Sequence, residues 1–199
     1  MQTRTLACAA IGVATLSCSA SAAIISFSQQ NVWDAYTAYQ ATSVVTEDFN
    51  SIPDGFYSSG FSSSLGGVTW TATATGGLYA QSGLFSTNNP TSLSITFAPG
   101  VQGVAGNFFG TDIDFNPAPI LVQVTLADGT STILPATSPA DFSGFYSTGA
   151  AIASLTITAA GSGYTYPTID NLHFAVPVPA PGAAALIGLA GLSRGRRAA

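Results

Sequence analysis

From residue 43 onward the chain keeps breaking into runs of four to nine residues rich in β-branched and aromatic side chains, each closed by a turn signal. The runs fall at 43–49, 67–75, 92–97, 103–109, 120–126, 131–134, 141–146, 152–159 and 166–174. None is long enough, or has the 3.6-residue apolar period, to be a helix. Pro53-Asp54-Gly55, Ser64-Leu65-Gly66-Gly67, Pro99-Gly100, Asn116-Pro117 and Gly161-Ser162-Gly163 separate them with turn chemistry. Asp128-Gly129, between Val124-Thr125-Leu126 and Thr130-Ser131-Thr132-Ile133, predicts a two-residue hairpin turn. Many short strands with no helices between them predict an all-β fold, an antiparallel two-sheet sandwich of jelly-roll type. One stretch departs from this pattern. In 29–40 the apolar residues Val32, Trp33, Tyr36 and Tyr39 recur at helical spacing, which predicts one short N-terminal helix with Ser28 as its cap.

Strand alternation also assigns faces. Trp70 alternates with threonines in 68–75 and is expected in the core, as are Leu93, Ile95 and Phe97, and Leu155 and Ile157. Two carboxylates break the rule: Glu47 shares a face with Val45 and Phe49, and Asp170 with Leu172 and Phe174. A buried carboxylate costs several kcal/mol unless it is paired or ligated. First and last strands of a jelly roll commonly lie side by side, so the two acids could meet. A structural calcium ion would satisfy them, with Asp48 and Asn171 as further oxygen donors. The competing reading is that both acids sit at strand ends and reach solvent or accept backbone N–H groups.

Charge narrows the functions open to such a domain. All four Lys and Arg residues lie at the ends, at Arg4 and at Arg194, Arg196 and Arg197 with none between, whereas nine acids occupy the interior. A domain without cations cannot neutralise phosphates, which excludes nucleic acid as a partner. Catalytic options are few. His173 is the single histidine and is expected on a half-exposed strand face, and the G-x-S-x-G and H-E-x-x-H motifs are absent. Asp112-Ile113-Asp114-Phe115-Asn116 opens like an EF-hand loop, but Pro117 stands at its glycine and Gln123 at its bidentate glutamate, so a solvated loop is expected. Acid-only glycoside hydrolysis needs just two carboxylates and stays open. Tyr57, Phe61, Tyr79, Tyr164 and Tyr166, with Phe56, lie among Gly, Ser and Asn in segments read as loops. Such rings stack on sugar faces, and these neighbours hydrogen-bond hydroxyls, so the five are the candidate ligand-binding residues.

The ends carry addresses. Residues 1–23 read as a secretory signal with Arg4, an apolar stretch 6–16 and an Ala20-Ser21-Ala22 cleavage site. Both cysteines, Cys8 and Cys18, fall inside it, and Thr15 stands where a lipoprotein signal carries Leu. The mature domain, 24–175, is therefore expected to contain no disulfide. At the other end, Val176-Pro177-Val178-Pro179-Ala180-Pro181 precedes a moderately apolar run 182–192, expected as a short helix, and the arginine cluster. That run is well short of the roughly 20 residues that span a bilayer. The three-part order of 176–199 resembles the PEP-CTERM sorting signal, with Val178 standing where the name-giving glutamate would be. The resemblance implies transient inner-membrane contact with Arg194, Arg196 and Arg197 on the cytoplasmic side, Pro177 and Pro179 in the recognised motif, and processing by an exosortase-like enzyme. The middle domain is similar to those common in such proteins in its early Trp helix, Glu-Asp-Phe strand and closing Ile169-Asp170-Asn171-Leu172 strand. That similarity implies a jelly-roll or galactose-binding-like sandwich.

Three functions are compatible with the sequence: a non-enzymatic exported envelope or matrix protein, a carbohydrate-binding module for exopolysaccharide, and an acid-only secreted hydrolase. Mass spectrometry of the exported form is expected to show both ends removed. An intact tail on a cytoplasmic product would refute the sorting expectation.

Overall fold

The computed structural model describes residues 23–161 and 163–178. The signal segment with Ala20 and Ala22, and the tail from Pro179 through the apolar run to Arg194, Arg196 and Arg197, lie outside the described residues. No helix among the described residues is long and apolar enough to cross a membrane.

The chain begins with β1 (Ile24–Phe27), α1 (Gln30–Tyr39), β2 (Thr42–Glu47), β3 (Gly55–Tyr57), β4 (Phe61–Leu65) and β5 (Val68–Ala74). It continues through β6 (Leu78–Gln81), β7 (Leu84–Thr87), β8 (Leu93–Phe97), β9 (Gly103–Thr111) and β10 (Pro117–Ala118). The last five are β11 (Ile120–Leu126), β12 (Ser131–Ala136), β13 (Phe142–Ser147), β14 (Ile152–Ala159) and β15 (Tyr166–Pro177). They form the expected antiparallel sandwich. One sheet has nine strands in the order β1-β13-β9-β15-β7-β6-β3, with β2 also paired to β15 and β10 to β9. The other has six, β12-β11-β14-β8-β5-β4. Each of the nine runs read from the sequence is a strand, and β2 does lie beside β15.

The inner faces meet over one large apolar cluster. Phe49 and Phe85 stack with centroids 5.5 Å apart, and Trp70 meets both edge-on at 5.9 and 6.3 Å, a geometry suited to the ring quadrupoles. Tyr57 and Phe61, half-buried, pack against this cluster from strands β3 and β4 and do not lie in loops. Two other readings change. The Asp128-Gly129 hairpin has a three-residue loop: Leu126 N–H bonds to Thr130 O and Gly129 N–H to Leu126 O, with Gly129 left-handed at φ +88°. The cap of α1 is Gln29, and its side chain makes no capping bond, so Ser28 does not cap the helix.

β15 is the strand on which faces are decided. β9 pairs with it from Tyr166 to Ala175, but its other side is shared: β7 takes Thr168 and Ile169, and β2 takes Leu172 through Pro177. At the changeover the register against β9 slips, so Asn107 faces Asp170, Gly106 faces Leu172, and Asn171 is the extra residue of a β-bulge, left-handed at φ +58°. Ile169 and Leu172 both point to the core, whereas unbroken alternation would put them on opposite faces. Asp170 is consequently turned to the outer face and half-exposed, which corrects the expectation that it shares a face with Leu172 and Phe174. Val176 and Pro177, read as the start of the tail, are instead the last residues of β15, opposite Ser43 and Thr42.

The bulge fits because Gly106 lies opposite it; a Cβ there would run into the Asn171 carbonyl oxygen. Gly106→Ala is expected to destabilise the fold by about 1–3 kcal/mol, the usual range for overpacking, and to lower the urea midpoint at unchanged m. An unchanged midpoint would show that the bulge tolerates the methyl group.

Candidate functional site

The outer face of the nine-stranded sheet is divided in two. Over β13, β9 and the second half of β15 it is covered by α1. Trp33 is fully buried there, its ring 6.2 Å from Phe142 and 5.9 Å from His173, and its Nε1 donates to Phe145 O at 3.3 Å. Gly144 makes the seat possible, since a Cβ would come within 2.6 Å of the indole. His173 was expected half-exposed beside Ile169 and Asn171. It is buried because the helix covers its face, and the bulge removes Ile169 from that face. Its Nδ1 lies 2.7 Å from Thr46 Oγ1.

Over β6, β7, the first half of β15 and the end of β9 the same face is open, forming a groove of about 560 Å³. Cross-strand register builds its floor. Phe56 pairs with Tyr79, Tyr79 with Ser86, Ser86 with Thr168 and Thr168 with Phe109, giving one row of outward side chains across five strands. Aromatic rings stand at both ends of the row and hydroxyls in the middle, where Thr168 Oγ1 donates to Ser86 Oγ at 2.9 Å. Tyr166, Gln81, Leu84 and Asn88 complete the lining around this row.

One wall is the 112–116 loop. Asp112 Oδ1 accepts the backbone N–H groups of Asp114 and Asn116, each at 2.9 Å, and Oδ2 accepts Asn116 Nδ2 at 3.1 Å. The Asn116 side chain, then its backbone, hold the Asp112 carboxyl below the usual carboxylate range. With the carboxylate turned inward and Phe115 left-handed at φ +64°, the loop presents Ile113 and Phe115 outward, 73% and 82% exposed. The loop is solvated, as expected, and its exposed side chains include the apolar pair that rims the groove.

The sequence-derived candidates divide accordingly. Tyr79 and Tyr166 line the groove, both on strands instead of loops. Tyr164, 76% exposed, does lie in a loop and lines a separate depression behind Ile113. Tyr57 and Phe61 face the core with centroids 5.2 Å apart, and Tyr57 OH donates to Pro53 O at 2.6 Å. Among the proposed calcium donors, Glu47 is buried on the core face opposite Leu172 and accepts the Phe49 N–H at 3.1 Å, while exposed Asp48 accepts the Asn50 N–H at 3.1 Å. The bulge residue Asn171 and outward Asp170 do not join Glu47 on its face. Among the described residues no group of three or more His, Cys, Asp or Glu is placed to hold a metal ion.

Sequence reasoning did not find Leu84, Ser86, Phe109, Ile113, Phe115 or Thr168. A signal for two of them existed: Ser82-Gly83, with φ +51° and +78°, makes a two-residue hairpin turn joining β6 to β7, and Leu84-Phe85-Ser86 alternates directly after it.

No family model and no curated protein sequence matches this chain. Among solved structures it is similar to a carbohydrate-binding module of family 29, at 8% identity and TM-score 0.41 over 68% of this chain and 90% of that one. A mutant of such a module complexed with mannohexaose scores 0.36 at 9% identity, covering 68% of this chain and 93% of that one. The enzymatically active domain of bacteriophage CBA120 tailspike protein 4 scores 0.27 at 12% identity, with 78% of this chain and 19% of that one covered. Likeness of this degree assigns neither family nor ligand.

Burial under α1 lowers the pKa of His173, with the Asp34 carboxylate partly opposing the shift. Protonation therefore favours the unfolded chain. Stability from the neutral ring is complete above the unfolded value near 6.5 and is lost as pH falls from there toward the folded value, where the loss levels off. Thermal unfolding is expected to show a lower midpoint at pH 5.5 than at pH 7.5, and His173→Gln is expected to flatten that slope. A slope unaffected by the substitution would assign the dependence elsewhere.

Proposed function

We propose that this protein is an exported, non-enzymatic envelope or matrix protein whose outer-sheet groove binds polysaccharide, the glycan lying across the strands. The row from Phe56 through Tyr79, Ser86 and Thr168 to Phe109 carries the reading. At about 4.8 Å per strand, Tyr79 and Phe109 are separated by roughly 14 Å, the length of a short oligosaccharide. The exposed rings of Phe56 and Tyr79 at one end of the row offer apolar faces to sugar C–H groups, and the central hydroxyls and the Gln81 and Asn88 amides exchange hydrogen bonds with sugar hydroxyls. Strand-borne side chains lose little freedom on binding, so the row is preorganised.

Binding is favoured over hydrolysis because Asp112 is the acid among the lining residues, and both its oxygens are engaged within its own loop. Glycoside hydrolysis requires a pair of carboxyl groups flanking one bond. Delivery falls to the ends: a cleaved signal, and a PEP-CTERM-like tail that brings transient membrane contact and removal by an exosortase-like enzyme before surface attachment or release.

Glycan-array screening followed by titration tests the groove. Tyr79→Ala and Tyr166→Ala are each expected to weaken binding about five- to tenfold, equivalent to about 1 kcal/mol of stacking. Tyr57→Ala is expected to lower thermal stability with affinity little changed. If Tyr79→Ala and Tyr166→Ala left affinity untouched, the groove would not be the binding surface.

A further inference from the structure

We propose that the groove selects glycans without carboxylate or sulfate groups and rejects anionic polysaccharides. This rests on the glycan reading above and adds the ligand class.

The basis is the charge that surrounds the row. Asp112 stands in one wall. Asp54 accepts the backbone N–H of Ser82, itself a lining residue, at 2.9 Å. Asp170, rotated outward by the bulge, lies on the same face two residues along β15 from Thr168. Against these acids the sequence sets no Lys or Arg anywhere between Thr5 and Ser193. His173, the one other side chain able to carry positive charge in that span, is buried beneath α1, and an amino terminus made by signal cleavage would enter β1, at the sheet edge opposite β6 and β3.

A sugar carboxylate docked over Ser86 and Thr168 would give up water above the floor formed by Phe109 and Thr168, both buried. It would gain no cation in return and would meet like charges. A uronic acid or sulfated unit pays that desolvation uncompensated. A neutral hexose loses only hydroxyl hydration, which the row's own hydroxyls and amides replace. The Asp112 carboxylate cannot adapt by accepting a proton at moderate pH, since its loop hydrogen bonds favour the charged form. The groove is thus built from groups that match an uncharged chain and contains none that match an anion.

Titration calorimetry on the exported protein would compare neutral gluco- and manno-oligosaccharides with oligogalacturonate of equal length. Measurements at low salt and at about 1 M salt, where the Debye length is about 3 Å, isolate the charge effect. The expected result is a neutral-ligand affinity independent of salt, and oligogalacturonate at least about tenfold weaker at low salt with the gap narrowing at high salt. Asp170→Asn is expected to raise oligogalacturonate affinity about two- to threefold at low salt and to leave the neutral ligand unchanged. Equal or tighter binding of the acidic oligomer at low salt would overturn the charge selection and leave the glycan reading standing. Failure of both sets to bind would overturn the glycan reading and this inference with it.

Discussion

The left-handed backbone at Asn171 inserts one residue into β15, the longest strand among the described residues, and the side chains on either side of it exchange faces. Upstream, Thr168 and Asp170 look outward and Ile169 inward; downstream, Leu172 and Phe174 look inward and His173 outward. The same residue marks where β7 yields to β2 as partner of β15. An uninterrupted strand could not serve both neighbours with their apolar faces toward one core, because a slip of one residue reverses every side chain. The bulge thus permits one half of the sheet to hold the helix and the other to stay open. Gly106 and Gly144 are its complements, the first making room for the bulge and the second for the indole that fixes the helix.

Cohesion in this domain comes from aromatic packing and backbone pairing. Among the described residues there is no Lys or Arg, so within them the acids have no such ion-pair partner. The carboxylates act locally instead. Asp112 and Asp141 gather N–H groups of their own loops, Thr137 and Ser138 in the second case, and Glu47 holds the left-handed Phe49. Such bonds fix loop shape at short range and are less exposed to salt than surface ion pairs.

Much of the fold was legible because β-branched runs and turn residues act locally. Val68-Thr69-Trp70 and Leu93-Ser94-Ile95 say which way they face without reference to any partner, and they face that way. The strands that build the groove were harder to see. β3, β6 and β7 hold three or four residues each, too few to show a period, and Gly55 and Ala80 in them disfavour strand. They are strands because β15 and each other supply the ladder, a tertiary cause invisible to periodicity. Tyr79 and Tyr166 could therefore be picked out by chemistry but not aligned. Phe109 ends a run, 103–109, in which alternation assigns no face, so its place in the groove floor had no local signal. The face of Asp170 was misread for a sharper reason: a bulge at Asn, without a glycine to mark it, leaves no trace in alternation.

The extension of β15 to Pro177 bears on mechanics. Its final residues are clamped on one side by β2, while Gly103 of β9 closes the other side at Ala175. Val178 N–H still reaches Ala41 O at 3.4 Å just past the strand. A pull on the C-terminal end along the strand axis would load these ladders lengthwise, so that many hydrogen bonds resist together. A pull at right angles would open them one at a time. The strand that sets the faces of the sheet is thus also the one through which tension on the tail would enter the domain.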